Sequence, residues 1–173
     1  HPENRITASV VICSAHRREV WMIGDCLCMS GGVLYTNEKP QEAVLAEQRS
    51  KELRRLLDKG HSVEELRADD LGRKLILTGI IESTKGQNKL FAVVDGFPIA
   101  REHVKVIKVE AGTEVIMASD GYPTICGTLQ QTEMALAHII ANDPLLMTMH
   151  KATKGVSPGQ TSFDDRTYLR CVL

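Results

Sequence analysis

The sequence predicts an α+β fold in which helices cover antiparallel β-sheets. Three observations lead to this fold class. β-Rich runs occur in two clusters, one within residues 6–35 and one within residues 90–120. A long segment with helical periodicity separates the clusters. A second helical pattern follows the later cluster, which is typical of layered domains with helices packed on sheets.

The composition is that of one globular domain, which we expect to span residues 1–173. Apolar residues make up 43% and charged residues 25% of the chain, which are ordinary globular values. The net charge of −1 provides no basic field for a nucleic-acid backbone. Apolar runs are far shorter than the roughly 20 residues that a membrane span needs, and no signal segment is evident. We therefore expect a cytoplasmic protein with neither a membrane nor a nucleic-acid partner.

The first strand cluster begins with a predicted β-hairpin. Residues 6–13 and residues 19–24 are β-rich runs separated by "SAHRR", and the second run ends at Gly24. The stretch "SGGVLYT" then predicts a turn at its two glycines followed by a third short strand.

The segment between the strand clusters is predicted to be helical. Pro40 suits the first turn of a helix, "DKG" ends that helix at Gly60, and its apolar residues lie on one stripe: Val44, Leu45, Leu53, Leu56 and Leu57. Ser62 and Glu65 form a capping-box pattern that opens a short second helix. Residues 71–81 fit either a helix or a strand, and we favour a helix. These helices could recognise a partner or only pack, and packing is favoured.

β-Rich texture returns in three runs, "LFAVVD", "HVKVIKV" and "EVIMASD". The middle run alternates, which predicts that Val104 and Val106, together with Ile107, mark one half-buried face. After these runs, residues 129–142 have helical spacing. They are followed by a Gly/Pro/Ser-rich loop at 152–165, long enough for a functional role, and by a terminal strand in "RTYLRCVL".

The cysteines predict reduced thiols. The chain has five of them, an odd number, mostly inside strand-like runs, which suits core packing better than a disulfide framework. Cys26 and Cys28 form a C-x-C pair that could bind a soft metal, but no second Cys/His pair at zinc spacing accompanies them. None of the six histidines belongs to a cluster, so we expect surface or structural roles for them.

Three aspartates share a setting at the ends of apolar strands: Asp25, Asp120 and Asp164. A neighbouring glycine lets the chain turn or lets the backbone approach closely. Two carboxylates within about 4 Å repel by roughly 4 kcal/mol at an effective dielectric of 20, so a cluster of them needs a cation. Hard ions such as Mg²⁺ or Mn²⁺ suit carboxylate oxygens. Alternatively, each aspartate only caps a turn.

Three stretches resemble the type 2C metal-dependent serine/threonine protein phosphatases: "ITASVVICSAHRREVWMIGDC", "EVIMASDGYPT" and "SFDDRTYLRC". That family has a Thr-Ala strand followed by a Gly-Asp strand end, then a Ser-Asp-Gly strand end, then an acidic pair before the last strand. The resemblance covers the family's C-terminal two-thirds. It implies an αββα layered sandwich of antiparallel sheets flanked by helices, incomplete at the N-terminus, where the family carries a phosphate-binding Arg and further metal ligands.

The resemblance implies that Asp120 and Asp164 bind a pair of Mg²⁺ or Mn²⁺ ions beside the backbone of Gly121, and that Asp25 belongs to a further metal site. Asp165 remains an alternative to Asp164. The implied activity, in the intact parent, is hydrolysis of phosphoserine or phosphothreonine in a phosphoprotein by metal-bound hydroxide, with no cysteine nucleophile. No catalytic side chain is assigned within these residues. The alternative is a phosphatase-like regulatory or binding module without turnover.

Asp95, in "VVDGFP", is either a metal ligand or a turn residue, and the turn is favoured because its position in the chain does not match the family's Asp-Gly stretch. N-terminal-nucleophile hydrolases have a similar layered architecture, but their first residue is Ser, Thr or Cys, which His1 cannot replace. Absent N-terminal strands would leave sheet edges unpaired, so we expect self-association unless other parts of the chain cover them.

Overall fold

A computed structural model describes residues 4–173 and confirms an α+β architecture with two antiparallel sheets. His1 lies outside the described residues. The helices of this part of the chain are α1 to α4, in chain order Glu42–Asp58, Val63–Ala68, Leu71–Thr84 and Leu129–Asn142. The strands are β1 to β7, in chain order Val10–Ser14, Glu19–Ile23, Leu27–Ser30, Val33–Tyr35, Lys105–Lys108, Glu114–Ala118 and Tyr168–Val172.

The first sheet has the strand order β1-β2-β5 and the second has the order β4-β3-β6-β7. The predicted hairpin is confirmed, because β1 pairs with β2 in the register Val10 to Ile23. Sequence patterns missed β3, a strand of four residues that lies in the middle of the second sheet between β4 and β6.

The two sheets pack together through one apolar cluster. Val20 and Met22 of β2 meet Cys28 of β3 and Val115 of β6, and none of these four side chains is exposed. Each strand therefore turns alternate residues towards the space between the sheets.

The predicted half-buried face of β5 is only partly correct, because Ile107 is buried but Val106 is not. Ile107 and Val109 are buried in the cluster between the sheets, whereas Val106 is 51% exposed. Apolar residues on both faces of a short strand make its inward face ambiguous from sequence alone.

Helix α4 covers the far face of the second sheet. Leu136 of α4 packs with Leu27, Ile116 and Ala118, which lie on strands β3 and β6. The far face of the first sheet is different, because Ile12 is 41% exposed and Val106 is 51% exposed. These two positions are open to solvent.

Helices α1 to α3 confirm the predicted helical segment. Gly60 has a positive φ of 97° just after α1, and the capping box between Ser62 and Glu65 is present at the start of α2. Helix α3 begins at Leu71, where the side chain of Asp70 accepts a hydrogen bond from the backbone N–H of Arg73. The ambiguous segment is thus a helix.

Glycines let α1 and α3 approach closely. A Cβ atom at Gly72 would lie 2.7 Å from Cγ of Leu53, and one at Gly79 would lie 2.6 Å from Cδ2 of Leu45. The two glycines are seven residues apart, about two helical turns, so both face α1.

The strand predicted in "LFAVVD" is wrong. Val94 makes only an isolated bridge to Ala8. Asp95 ends this segment as a loop carboxylate that accepts hydrogen bonds from Arg5 and Asn88, each at 2.8 Å, and from the backbone N–H of Phe97. Gly96 follows with a φ of 84°. The turn interpretation of Asp95 therefore fits these contacts.

The cysteines are free, and none of the described helices could cross a membrane. All five cysteines lie in the described part of the chain as free thiols, and burial raises the pKa of both Cys26 and Cys28 to about 11. Over residues 4–173, no helix combines the length and the apolar character that a bilayer crossing requires.

Candidate functional site: an acidic pocket at the strand ends

The three strand-end aspartates line one pocket. This pocket has a volume of about 410 Å³ and contains Asp25, Asp120 and Asp164 in its wall. Asp25 follows β2 and Asp120 follows β6, while Asp164 comes from the loop before β7. The fold thus brings together three carboxylates that are far apart in the chain.

Asp25 is the most buried of the three, with only 8% of its side chain exposed. Its Oδ1 lies 2.5 Å from the hydroxyl of Ser9, and its Oδ2 accepts a hydrogen bond from Nζ of Lys39 at 2.6 Å. Burial acts to raise the pKa of Asp25, but Lys39 and Ser9 together lower it below its ordinary value. Asp25 is therefore held as a carboxylate.

Glycine is required before Asp25. Gly24 has a φ of 78°, and a Cβ atom there would lie 2.2 Å from Oγ of Ser9. The same glycine thus permits the turn and the approach of the hydroxyl that binds Asp25, as predicted for a glycine beside an acid.

Asp120 lies exposed to the pocket at the end of β6. Partial loss of hydration inside the pocket and the nearby carboxylates of Asp25 and Asp164 raise its pKa, and Lys39 only partly opposes them. No basic side chain of the described chain is within ion-pair distance of Asp120. It is the carboxylate of the three that is not neutralised by a direct partner.

Asp164, and not Asp165, lines this pocket. Asp165 is exposed, and its backbone N–H donates to Oδ1 of Asp164 at 3.0 Å. Gly121 fixes this loop by contact, because a Cβ atom there would lie 2.3 Å from the carbonyl oxygen of Asp165. Gly121 does not have a positive φ, so close approach alone requires the glycine here.

The pocket also contains cations, most of them paired. Lys39 contacts Asp25, Lys154 forms an ion pair with Asp164, and Lys151 forms one with Glu47 outside the acidic cluster. Burial lowers the pKa of Lys39, but Asp25 dominates together with other acids, so its pKa is raised. Lys39 is therefore charged at neutral pH.

Arg73 and His150 also line the pocket, as do the acidic residues Glu38 and Glu42. Arg73 is half-buried, and its Nη1 donates to the carbonyl oxygen of Thr153 at 3.0 Å. His150 lies against Phe163 with 5.8 Å between the ring centroids, and burial lowers its pKa although Asp143 and Glu38 oppose this. His150 is thus favoured in its neutral form.

A buried arginine holds the loop that carries His150. Arg49 of α1 is not exposed at all, and its guanidinium donates to both carboxylate oxygens of Asp70. It also donates to the carbonyl oxygens of Leu145, at 2.8 Å, and Ala152, at 3.1 Å. Helices α1 and α3 are in this way tied to the loop after α4.

The same loop is fixed at its start by Asp143. This buried carboxylate accepts hydrogen bonds from the backbone N–H groups of Met147, Thr148 and Met149. Burial acts to raise its pKa, but these donors lower it. The position of His150 therefore follows from hydrogen bonds made just before it.

The donor chemistry of the pocket suits Mg²⁺ or Mn²⁺, but the grouping does not complete a site. Carboxylate oxygens are the ligands these ions prefer. However, Lys39 and Lys154 contact two of the three carboxylates, and within residues 4–173 no three His, Cys, Asp or Glu side chains are grouped so that they could hold a metal ion. The role of Asp25, Asp120 and Asp164 as ligands therefore remains a prediction.

Sequence reasoning missed the basic side chains of the pocket. Lys39 directly precedes Pro40, which lies just before α1 and not in its first turn as predicted, and Arg73 lies in the segment at 71–81 that forms part of α3. Lys154 lies within the long loop predicted at 152–165, and His150 lies just before that loop. The length of that loop was the one feature that suggested a functional role.

No protein-family model matches the chain, and neither the curated proteins nor the solved structures include a significant match.

Proposed function

We propose that this chain carries part of the active site of a phosphatase 2C-like domain, which in the intact parent hydrolyses phosphoserine or phosphothreonine in proteins with Mg²⁺ or Mn²⁺. The observation that carries the proposal is the pocket shared by Asp25, Asp120 and Asp164. Mutual repulsion raises the pKa of Asp120 beyond the effect of burial. Carboxylates with perturbed pKa values are common at functional sites.

The residues of this chain would have distinct roles in that activity. Asp120 and Asp164 would hold a divalent ion, which supplies charge stabilisation to a phosphoryl group when it is bound. Asp25, buried at the end of β2, would belong to a further metal site. We also propose that the domain has the αββα layered architecture that the family resemblance implies.

The test is metal-dependent hydrolysis by the intact parent protein. We expect the parent to hydrolyse an aryl phosphate in the presence of Mn²⁺, and we expect Asp120→Asn to abolish this activity. Asp165→Asn is the matched control, because Asp165 is exposed and outside the pocket. Full activity of the Asp120→Asn variant would remove Asp120 from the site.

A second candidate function is a phosphatase-like binding module without turnover. It is favoured by the lysine contacts, because Lys39 and Lys154 already supply positive charge to Asp25 and Asp164. In that case the parent would bind phosphoprotein but would show no Mn²⁺-dependent hydrolysis. Metal-dependent turnover that is lost in the Asp120→Asn variant would exclude this candidate.

A further inference from the structure

Arg73 stands apart from the lysines of the pocket because it has no acidic partner. Lys39, Lys151 and Lys154 each contact a carboxylate. Arg73 has no ion pair within the described chain, and its only side-chain hydrogen bond runs from Nη1 to the carbonyl oxygen of Thr153. Its Nε and second terminal nitrogen therefore remain available as donors.

The position of Arg73 is fixed by its surroundings. It lies in the first turn of α3, where its backbone N–H donates to Oδ1 of Asp70 at 2.8 Å. Asp70 is in turn held by the buried Arg49. The bond to Thr153 anchors one edge of the guanidinium and leaves the side chain half-buried in the pocket wall. Little side-chain entropy remains to be lost on binding a ligand.

We propose that Arg73 binds the phosphate group of a phosphorylated serine or threonine in this pocket, with Lys154 beside it. This assignment rests on the proposed function, since it names the phosphate-recognising residues of the same site. A half-buried guanidinium with free donors matches the oxygens of a phosphate in charge and in geometry. The recognition residue would come from α3, so the helices between the strand clusters would serve the substrate as well as packing.

The chemistry of the pocket favours a phosphate monoester on a peptide. Arg73 and Lys154 border both this pocket and an adjoining cavity, so both cations border the same space. Phe163 borders both cavities as well, and Tyr122 and Pro123 add apolar surface to the first. Such a surface suits the carbon atoms of a phosphorylated side chain and its neighbours, and offers nothing to free inorganic phosphate.

The experiment is titration calorimetry on the 173-residue chain with phosphoserine and, in a second arm, with inorganic phosphate. We expect the chain to bind phosphoserine more tightly than inorganic phosphate, and Arg73→Gln to weaken phosphoserine binding by about 10- to 100-fold. Arg73→Lys, which keeps the charge, should retain part of the affinity. Lys74→Gln is the matched control, because it removes the same charge from an exposed position on α3.

Several outcomes would overturn the assignment. Wild-type affinity in the Arg73→Gln variant would do so, as would a chain that binds no phosphoserine or that binds inorganic phosphate alone. A thermal unfolding curve for each variant shows whether the fold is kept. If Arg73→Gln unfolds, the phosphoserine affinity of Arg73→Lys is compared with that of the wild type in its place.

Titration with Mn²⁺ separates this inference from the proposed function. Phosphoserine binding that depends on Arg73, without Mn²⁺ binding and without turnover in the parent, would support the inference and contradict the hydrolytic proposal. Mn²⁺ binding with unchanged phosphoserine affinity in Arg73→Gln would support the hydrolytic proposal and contradict the inference.

Discussion

Asp25 lies almost fully buried at the end of β2, and its charge depends on two neighbours. Without Lys39 and Ser9, burial would raise its pKa, whereas in their presence the pKa is lowered. A carboxylate with a lowered pKa stabilises the fold above its unfolded pKa, about 4. That contribution is lost as the pH falls through the folded pKa.

We therefore predict that Lys39→Met destabilises the chain in a pH-dependent way. At pH 7 the variant would leave the buried carboxylate of Asp25 without its lysine partner, at a cost of about 1 to 3 kcal/mol. Near pH 3 Asp25 is largely protonated in the variant, and the wild-type ion pair is weakened, so the difference should shrink. Urea unfolding at both pH values measures it. Lys51→Met, at an exposed ion pair of α1, is the control, and an equal deficit at both pH values would contradict the prediction.

Arg49→Met should be among the most destabilising single substitutions in the chain. It would leave Asp70 without its guanidinium partner and remove donors from the carbonyl groups of Leu145 and Ala152. Breaking a buried ion pair in this way costs about 3 to 5 kcal/mol. Arg55→Met removes an exposed ion pair on the same helix and should cost at most about 1 kcal/mol. Similar midpoints of urea unfolding for the two variants would count against this role of Arg49.

The sequence identified acids at strand ends but could not identify their counter-ions. Asp25, Asp120 and Asp164 follow or precede apolar runs, and that position is visible locally. The contacts of Lys39 and Arg73 depend on how α1 and α3 pack beside the sheets. That packing joins residues far apart in the chain, so no local pattern records it.

At the scale of elements, helices were predicted better than strands. The stripe of α1 and the capping box of α2 are repeated or paired signals over many residues. Strand β3 has four residues, too few to show an alternation. The apolar stretch at 90–95 resembles a strand in composition, but hydrogen bonds of Asn88 and Asp95 hold it as a loop.

The contact between α1 and α3 gives a prediction with a built-in control. Alanine at Gly72 would meet Leu53 and Arg49, two fully buried residues that have little room to move. We expect Gly72→Ala to cost about 1 to 3 kcal/mol. Alanine at Gly79 would meet only the end of the Leu45 side chain, and the helix propensity of alanine offsets this by up to about 1 kcal/mol. The Gly72→Ala variant should therefore unfold at a clearly lower temperature than the Gly79→Ala variant. The reverse order would refute the close packing.

At the scale of the whole molecule, the α+β class followed from the order of strand and helix clusters. The division into two sheets did not, because it depends on β2 pairing with β5 across more than eighty residues. Each sheet keeps two outer strands, β1 and β5 in one and β4 and β7 in the other. Outer strands present unpaired backbone groups.

We accordingly predict concentration-dependent self-association of the 173-residue chain. Sedimentation velocity over a range of concentrations measures it. Val106→Lys, on the exposed face of the outer strand β5, should reduce the association because a charged residue disfavours edge pairing. Met134→Lys, at an exposed position of α4, should leave it unchanged. A particle that stays monomeric at all concentrations would contradict the prediction.

The hydrogen bonds of Arg49 have a consequence for the motion of the pocket. Surface loops usually exchange their amide hydrogens quickly, because they open without the rest of the protein. Here the segment between Leu145 and Gly155 is tied to α1 through Arg49 and to α3 through Asp70. Its slowest amides should exchange only when the two helices separate, so the wall bearing His150 and Lys154 would keep its shape for as long as the helix pair survives.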